Sequence, residues 1–576
     1  MIWISAVLFP LAIAALCAFP GRGLKAGFRM LPLAPLPALF LALAGNIFSD
    51  TILDDFLLKS SFGTGPFGST FLLITSICWF AAALFTVSGT QKNSLKSKSF
   101  CVMFLLTMCG NIGLVAALDA VTFYTFFALM TFCSYSLIVH TGKATAIKAG
   151  RIYLIMAVLG EGMLIAGIML AAFSSPSHYF ADIAPALAGL PQSHPVFVLL
   201  FAGFGIKAGL IFLHFWLPLA HPVAPAPASA VLSGAMIKAG LLGWMNFFPV
   251  GLTPWNAWGS VFIILGLGSA IFGVIAGLRQ DGPKTVLAYS SISQMGLMTF
   301  CLGLGIMDAS LWGIAGPALY LLVFNHALCK SALFLGAAVS ESKMTRSNKN
   351  LLTIILLSVP ALALAGAPFT GGAQAKYLLK EAVKAGGLHE IVPMMVSATS
   401  VLTTLILIHF MFKIISAKRK KQSALNLPLA WVLLIIIIAC LPLLFHKIYP
   451  DNQVIWTNLN FFLSSLWPVL TGMIIYFVCG KSIQKISTKI MGVLPDTALI
   501  IDRIWSWFNS WIGRLSLRES SRLSLNLVHF TDYLAQTNLI DKASRNMELK
   551  ISLWTVFSTL FILMIIIFAL LGWKGA

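Results

Sequence analysis

The chain has 576 residues, 59% of them hydrophobic and only 10% charged, with a mean hydropathy of +0.92. That composition excludes a water-soluble globule and marks an integral membrane protein. A net charge of +20 would suit a nucleic-acid binder, but the placement of the basic residues excludes that reading.

A bilayer core about 30 Å thick takes roughly 20 apolar residues per helix, and about sixteen such runs are predicted. They lie near residues 1–20, 31–47, 70–90, 99–118, 120–139, 150–173, 196–218, 226–248, 257–278, 285–306, 309–338, 351–384, 392–415, 428–446, 460–479 and 551–573. The first, "MIWISAVLFPLAIAALCAF", has no basic n-region and no clear cleavage site, so it reads as a retained helix, not a signal peptide. Basic residues follow alternate runs: Arg22, Lys25 and Arg29; Lys92, Lys96 and Lys98; Lys143, Lys148 and Arg151; Arg279 and Lys284; Lys343, Arg346 and Lys349; Lys418 to Lys421; and Lys481, Lys485 and Lys489. Lys59 and Lys447 are the exceptions. The positive-inside rule then places the N-terminus on the non-cytoplasmic side of an inner (plasma) membrane, and an even number of spans returns the C-terminus there. The basic surplus is topology and contact with anionic lipids, with no nucleic-acid partner expected.

Nine cysteines, at 17, 78, 101, 109, 133, 301, 329, 440 and 479, lie within or beside apolar runs without CxxC or Cys/His ligand spacing. With no GxGxxG or Walker loop either, no cofactor or metal is expected in this chain. Electron transfer or nucleotide chemistry belongs to a partner.

Five segments follow from texture. Residues 1–98 hold N-terminal spans, 99–250 and 251–415 carry the interrupted helices and nearly all the buried charge, and 416–480 add plainer spans. Residues 481–576 begin with an amphipathic stretch mixing Trp, Phe and Leu with Arg, Asp and Lys, and end in an anchor at 551–573. The stretch reads either as an interfacial helix along the cytoplasmic surface or as an amphipathic linker.

A charge at the bilayer centre costs roughly 2.5–3.5 kcal/mol on insertion scales. Glu161, Lys207, Lys238, Lys330 and Lys376 all fall at mid-helix positions, with His214, His221 and His326 near by. One buried lysine alone could be structural, paired with a carbonyl or snorkelling to an interface; five charges in one bundle point to proton exchange. Pro218 in "FWLPLAHP" and Pro368 with Gly371 and Gly372 in "AGAPFTGGAQAK" interrupt two spans, and backbone freed at that depth survives only when buried in protein or lining water. Lys376 follows Lys207 by 169 residues, and Lys330 follows Glu161 by the same interval. Each pair falls five spans apart, an odd shift that inverts topology as inverted repeats do.

At these residues the chain resembles the antiporter-like membrane subunits of respiratory complex I, of Mrp-type Na+/H+ antiporters and of membrane-bound hydrogenases such as formate hydrogenlyase. The likeness is carried by "HFWLPLAHPVAPAPASAVLSGAMIKAGLLG" at 214–243, "LAYSSISQMG" at 287–296 and "NHALCKSALFLGA" at 325–337, over roughly residues 99–415. It implies an all-α polytopic fold with two inverted five-helix repeats, each with a broken helix, and proton or cation-linked proton movement along buried Lys, His and Glu. Lys207 then corresponds to the central lysine of the first half-channel. Lys238 and His326 connect the halves, Lys330 belongs to the "HALxK" motif, and either Lys376 or Lys380 holds the terminal place in the second broken helix. One departure stands out. Alignment on Ser134 and Tyr135 puts Ala128 where the family carries a glutamate, and Glu161 on the next run is the candidate replacement.

The leading expectation is a proton-translocating subunit of a larger complex, not catalytic alone, with other membrane subunits and a peripheral redox module as partners. The alternatives are a Na+/H+ antiporter subunit driven by the ion gradient and a non-conducting scaffold.

Overall fold

Without water, each backbone N–H and C=O in a span must be paired inside the protein, and helices make up almost all of the described residues. The computed structural model describes residues 2–53, 59–88, 97–343, 349–387, 391–416, 428–448 and 459–492. The expected amphipathic stretch after 492 and the anchor at 551–573 lie outside the described residues. The chain divides into one unit of Met1–Asp54 with Lys59–Thr488 and a second of Asp55–Leu58 with Lys489–Ala576; every site discussed below belongs to the first.

In chain order the helices are α1 (Ile2–Ala18), α2 (Arg22–Met30), α3 (Leu36–Ala44), α4 (Gly68–Ser88), α5 (Lys98–Ala116), α6 (Ala120–Ile138), α7 (Ala144–Phe173), α8 (Phe180–Ala188), α9 (Pro195–Ala208), α10 (Trp216–Val223), α11 (Ala226–Val231) and α12 (Lys238–Phe247). They continue with α13 (Asn256–Gly277), α14 (Pro283–Met307), α15 (Trp312–Lys343), α16 (Lys349–Ala365), α17 (Gly371–Ala385), α18 (Ile391–Ser416), α19 (Leu429–Ile448) and α20 (Leu459–Gly492). Among the described residues eleven helices, counting joined neighbours as one, are long and apolar enough to cross a membrane. Four shorter apolar helices accompany them: Ile2–Ala18, Pro195–Ala208, Leu351–Ala365 and Leu429–Leu443.

Enclosure by protein is uneven, and that locates the site. In its most apolar 18-residue stretch Ala226–Phe247 has every residue buried and Pro283–Met307 and Ala309–Ser340 have 94% of theirs buried, whereas Leu459–Val478 has only 28%. The first carries Lys238 and the third His326 and Lys330, while Pro283–Met307 supplies oxygens that receive Lys330. Small residues let them pack closely: Gly259, Gly266 and Gly273 recur at heptad spacing along α13, and a Cβ on Gly266 would stand 2.5 Å from Phe300 N of α14.

Two short strands, β1 (Thr51–Leu53) and β2 (Ser60–Phe62), pair antiparallel with Thr51 opposite Phe62. Asp119 ties them to the bundle. As N-cap of α6 its Oδ1 accepts from Thr122 N at 2.7 Å, and its Oδ2 accepts from Ser61 N at 2.8 Å and Ser61 Oγ at 2.9 Å. A wholly buried carboxylate is tolerable here because three donors converge on it. Asp119→Ala strands those donors, and a loss of at least about 2 kcal/mol is expected in thermal unfolding of the detergent-solubilised protein, with Asp119→Asn falling between.

Candidate functional site

The site begins with two helix interruptions of the same construction. α9 ends at Ala208, and Gly209 takes a left-handed conformation with φ 72°. Leu210 N donates to Gly205 O at 3.1 Å and Gly209 N to Ile206 O at 3.3 Å, a Schellman closure. The remaining polar groups are met from elsewhere: Trp216 Nε1 donates to Ile206 O at 2.7 Å, and Ile211 N donates to Ser269 Oγ of α13 at 2.9 Å. In the second interruption Gly366 has φ 87°, and Gly366 N and Ala367 N both donate to Leu362 O at 3.0 Å. Asn325 Nδ2 donates to Ala363 O at 3.1 Å, and Lys376 Nζ to Ala365 O at 2.8 Å. Phe212 and Phe369, three residues beyond each glycine, are both left-handed with φ 68° and 62°.

These geometries correct two expectations. Pro218 does not make the first break. It lies in the first turn of α10, where an absent N–H leaves no bond unmade, while Gly209 and the non-helical residues after it form the interruption. The interval of 169 residues does not relate the breaks either. Gly366 follows Gly209, and Phe369 follows Phe212, by 157 residues. In that register Lys207 and Lys376 are not equivalent: Lys207 precedes its break and Lys376 follows its own. Lys376 reaches back to Ala365 O, the carbonyl end of the preceding half-helix, where the helix dipole favours positive charge, whereas Lys207 lies in the last turn of its own half-helix and its ammonium rests on side chains of α6 and α7.

Lys207 and Glu161 line one cavity of about 20 Å³, together with Thr131, Tyr153, Phe127 and Trp216. That is room for a water molecule. Lys207 Nζ donates to Thr131 Oγ1 at 3.0 Å and to Tyr153 OH at 3.4 Å. The Glu161 carboxyl group is within electrostatic reach of Lys207, with the hydroxyls of Thr131 and Tyr124 beside it, yet neither of its oxygens makes a direct hydrogen bond of good geometry. The two charges share the cavity without forming a salt bridge.

Leu232–Met236 form a π-helical turn, one extra residue per turn, ahead of α12. Gly234 lets it press onto α15, since a Cβ there would meet Ala327 O at 3.1 Å. The turn also brings Ser233 O to within 2.5 Å of Lys238 Nζ, which lies 2.7 Å from His326 Nδ1. With Lys238 as donor, His326 carries its proton on Nε2. Lys330 Nζ donates to Leu287 O at 2.8 Å and to Ser290 Oγ. His221 stacks on Phe334 with ring centroids 4.4 Å apart, and His214 packs on Phe272 at 4.9 Å. Neither of these two histidines makes a direct hydrogen bond through its ring nitrogens. Lys380 Nζ donates to Ser464 O at 3.3 Å.

Lys238 and His326 are thus in contact, Glu161 and Lys207 share a cavity, and Lys376 and Lys380 share another. Among the described residues no direct hydrogen bond links Lys207 to Lys238, or Lys330 to Lys376. Sequence reasoning missed Thr131, Tyr153, Ser290, Asn325 and Trp216. Thr131 had a signal: it lies one turn after Ala128, on the face where the carboxylate is absent, and its hydroxyl receives the Lys207 ammonium.

Residues 117–406, just over half of the chain, match the sequence model of the family described as NADH:quinone oxidoreductase/Mrp antiporter, TM. The chain belongs to that family. Within the NADH:quinone oxidoreductase/Mrp antiporter family, hydrogenase-4 component B of Escherichia coli is 30% identical over 286 residues, 47% of this chain and 42% of that protein. The putative antiporter subunit mnhA2 of Staphylococcus saprophyticus is 32% identical over 325 residues, 52% of this chain and 40% of that protein. The aligned part therefore covers less than half the length of these curated relatives. In fold, the chain is similar to one in the structure of the membrane-bound sulfane sulfur reductase, an archaeal respiratory membrane complex, with a TM-score of 0.74 at 20% identity over 93% of this chain and 99% of that one.

Thr131→Val keeps the volume and removes the oxygen that receives Lys207. A buried ammonium losing a partner is expected to lower stability by about 1–3 kcal/mol, read as a lower midpoint in thermal unfolding, with Thr131→Ser close to the parent.

Proposed function

We propose that this chain is the proton-translocating membrane subunit of a multi-subunit complex related to complex I, membrane-bound hydrogenases or Mrp antiporters. The observation that carries the reading is that Lys207, Lys238 and Lys330 each rest on an uncharged group that both donates and accepts: Thr and Tyr hydroxyls for Lys207, an imidazole beside Ser233 O for Lys238, and a Ser hydroxyl beside Leu287 O for Lys330. Such a group serves an amine and an ammonium alike, and the carbonyls accept from either form. A fixed carboxylate would have favoured one form.

In this mechanism Lys207 is loaded from the cytoplasm, and a change in its relation to Glu161 releases the proton towards Lys238, His326 and Lys330, with His214 and His221 beside the route. Lys376 and Lys380 receive it in the second break. Water joins the separated groups, because neighbouring helices stand about 8–10 Å apart and a direct hydrogen bond spans about 3 Å. The finer architecture belongs to the same proposal: sixteen spans, both termini non-cytoplasmic, and two inverted five-helix repeats, α5–α12 and α13–α18. Their support is the pair of matching breaks at the 157-residue interval. Partners are other membrane subunits and a peripheral redox module, with anionic lipid at the basic loops.

A sodium-driven antiporter reading is favoured by one observation, the likeness to a putative antiporter subunit. The complex reconstituted in liposomes separates the two. Acidification on adding the electron donor, with none from an imposed sodium gradient alone, is expected. Lys207→Ala is expected to reduce the flux at least tenfold and Glu161→Gln several-fold. Unchanged flux in Glu161→Gln beside a lost flux in Lys207→Ala would sink the pairing, and unchanged flux in both would sink the conducting role.

A further inference from the structure

Three lysines on α17, Lys376, Lys380 and Lys384, lie one turn apart on one face. Their exposure rises in order. Lys376 is 4% exposed, Lys380 is half-buried, and the Lys384 side chain is 63% exposed and ion-paired with Glu381 Oε1 at 2.8 Å. Four residues of helix rise about 6 Å, so the three mark out about 12 Å from the enclosed break to the surface.

The middle lysine has a built seat. Its Nζ donates to Ser464 O of α20 at 3.3 Å and stands 6.0 Å from the centre of the Trp467 ring. Lys376 and Lys380 line one cavity of about 10 Å³ with Tyr377, Ser400 and Ser465, at the lower limit for one water. α20 begins beyond the family match at residue 406, so this wall is supplied by a part of the chain outside the matched region.

We propose that Lys380 is the release residue of the proton route, seated by α20, and that Lys384, held by its ion pair with Glu381, is a fixed cationic group at its mouth. The inference rests on the conducting role given above. The Lys376 ammonium gives a proton through water to the Lys380 amine, leaving Lys376 neutral; Lys380 then gives that proton to external water as hydronium. Lys384, exposed and paired, stays charged at neutral pH. One turn away, it repels positive charge on Lys380 and opposes the approach of external cations.

The test uses the assembled complex in liposomes, with proton flux read by a pH-sensitive dye. Lys380→Arg keeps a cation over Trp467 and a donor to Ser464 O but does not deprotonate near neutral pH, so flux is expected to fall at least tenfold. Lys384→Glu is expected to slow it several-fold. Wild-type flux in Lys380→Arg, beside lost flux in Lys376→Arg, would overturn the release role of Lys380 and leave conduction standing. Unchanged flux in Lys376→Arg and Lys207→Ala alike would instead overturn the conducting role. Should Lys380→Arg fail to assemble, Lys380→Cys treated with 2-aminoethyl methanethiosulfonate decides. Recovery of flux with the restored amine, against an unresponsive treated parent, supports the proposal, and no recovery refutes it.

Discussion

Everything in this bundle is arranged around the peptide groups that two interrupted helices leave without helical partners. In a bilayer such groups survive only if the protein supplies partners, and here the partners are side chains that also build the polar interior. Trp216 and Ser269 serve the first interruption, and Asn325 and Lys376 the second. A left-handed glycine ends each first half-helix, followed by the same long closing bond, Leu210 N to Gly205 O and Ala367 N to Leu362 O, and a left-handed phenylalanine stands three residues beyond each glycine. At the second break the carbonyl end of the half-helix is turned towards a cation, Lys376.

The two lysines relate to their breaks differently. Lys207 belongs to the half-helix that precedes its break and rests on Thr131 and Tyr153, whereas Lys376 grows from the half-helix that follows its own and reaches back to a carbonyl. Two breaks can therefore match at 157 residues while two lysines lie 169 apart. Neutral partners then decide what the cations can do. Hydroxyls, an imidazole and two backbone carbonyls, all uncharged, hold Lys207, Lys238 and Lys330, and Glu161 shares with Lys207 a cavity that has space for water. The π-turn before Lys238 belongs to the same logic, because the extra residue turns Ser233 O and Lys238 towards His326.

Much of the fold was legible in the chain because membrane insertion leaves a one-dimensional record. Apolar runs, charges on alternate loops and five ionisable residues inside apolar helices are properties of the sequence, and helices stand at fifteen of the sixteen runs expected, the last lying outside the described residues. The site was legible at its charged members and illegible at its neutral ones. Serine, threonine and tyrosine are common in helices, so Thr131, Tyr153 and Ser290 carry no mark that separates them from packing residues until a lysine is seen to rest on them. The prolines misled for a related reason. Pro218 flags an irregularity near by, but a proline fits the first turn of a helix, and the residue that ends the preceding half-helix is Gly209.

By itself, then, the sequence determined that the chain lives in a membrane, which residues are charged within it, and roughly where its helices fail, since each follows from the transfer energy of a residue type or the backbone freedom of glycine and proline. Tertiary structure alone decided which oxygen or nitrogen each ammonium meets, that Glu161 and Lys207 share a cavity without pairing, and that α20 closes over Lys380. Such contacts join residues up to 88 positions apart and depend on how helices are rotated against one another. That rotation is set by close packing of whole surfaces, and no local pattern of the chain encodes it.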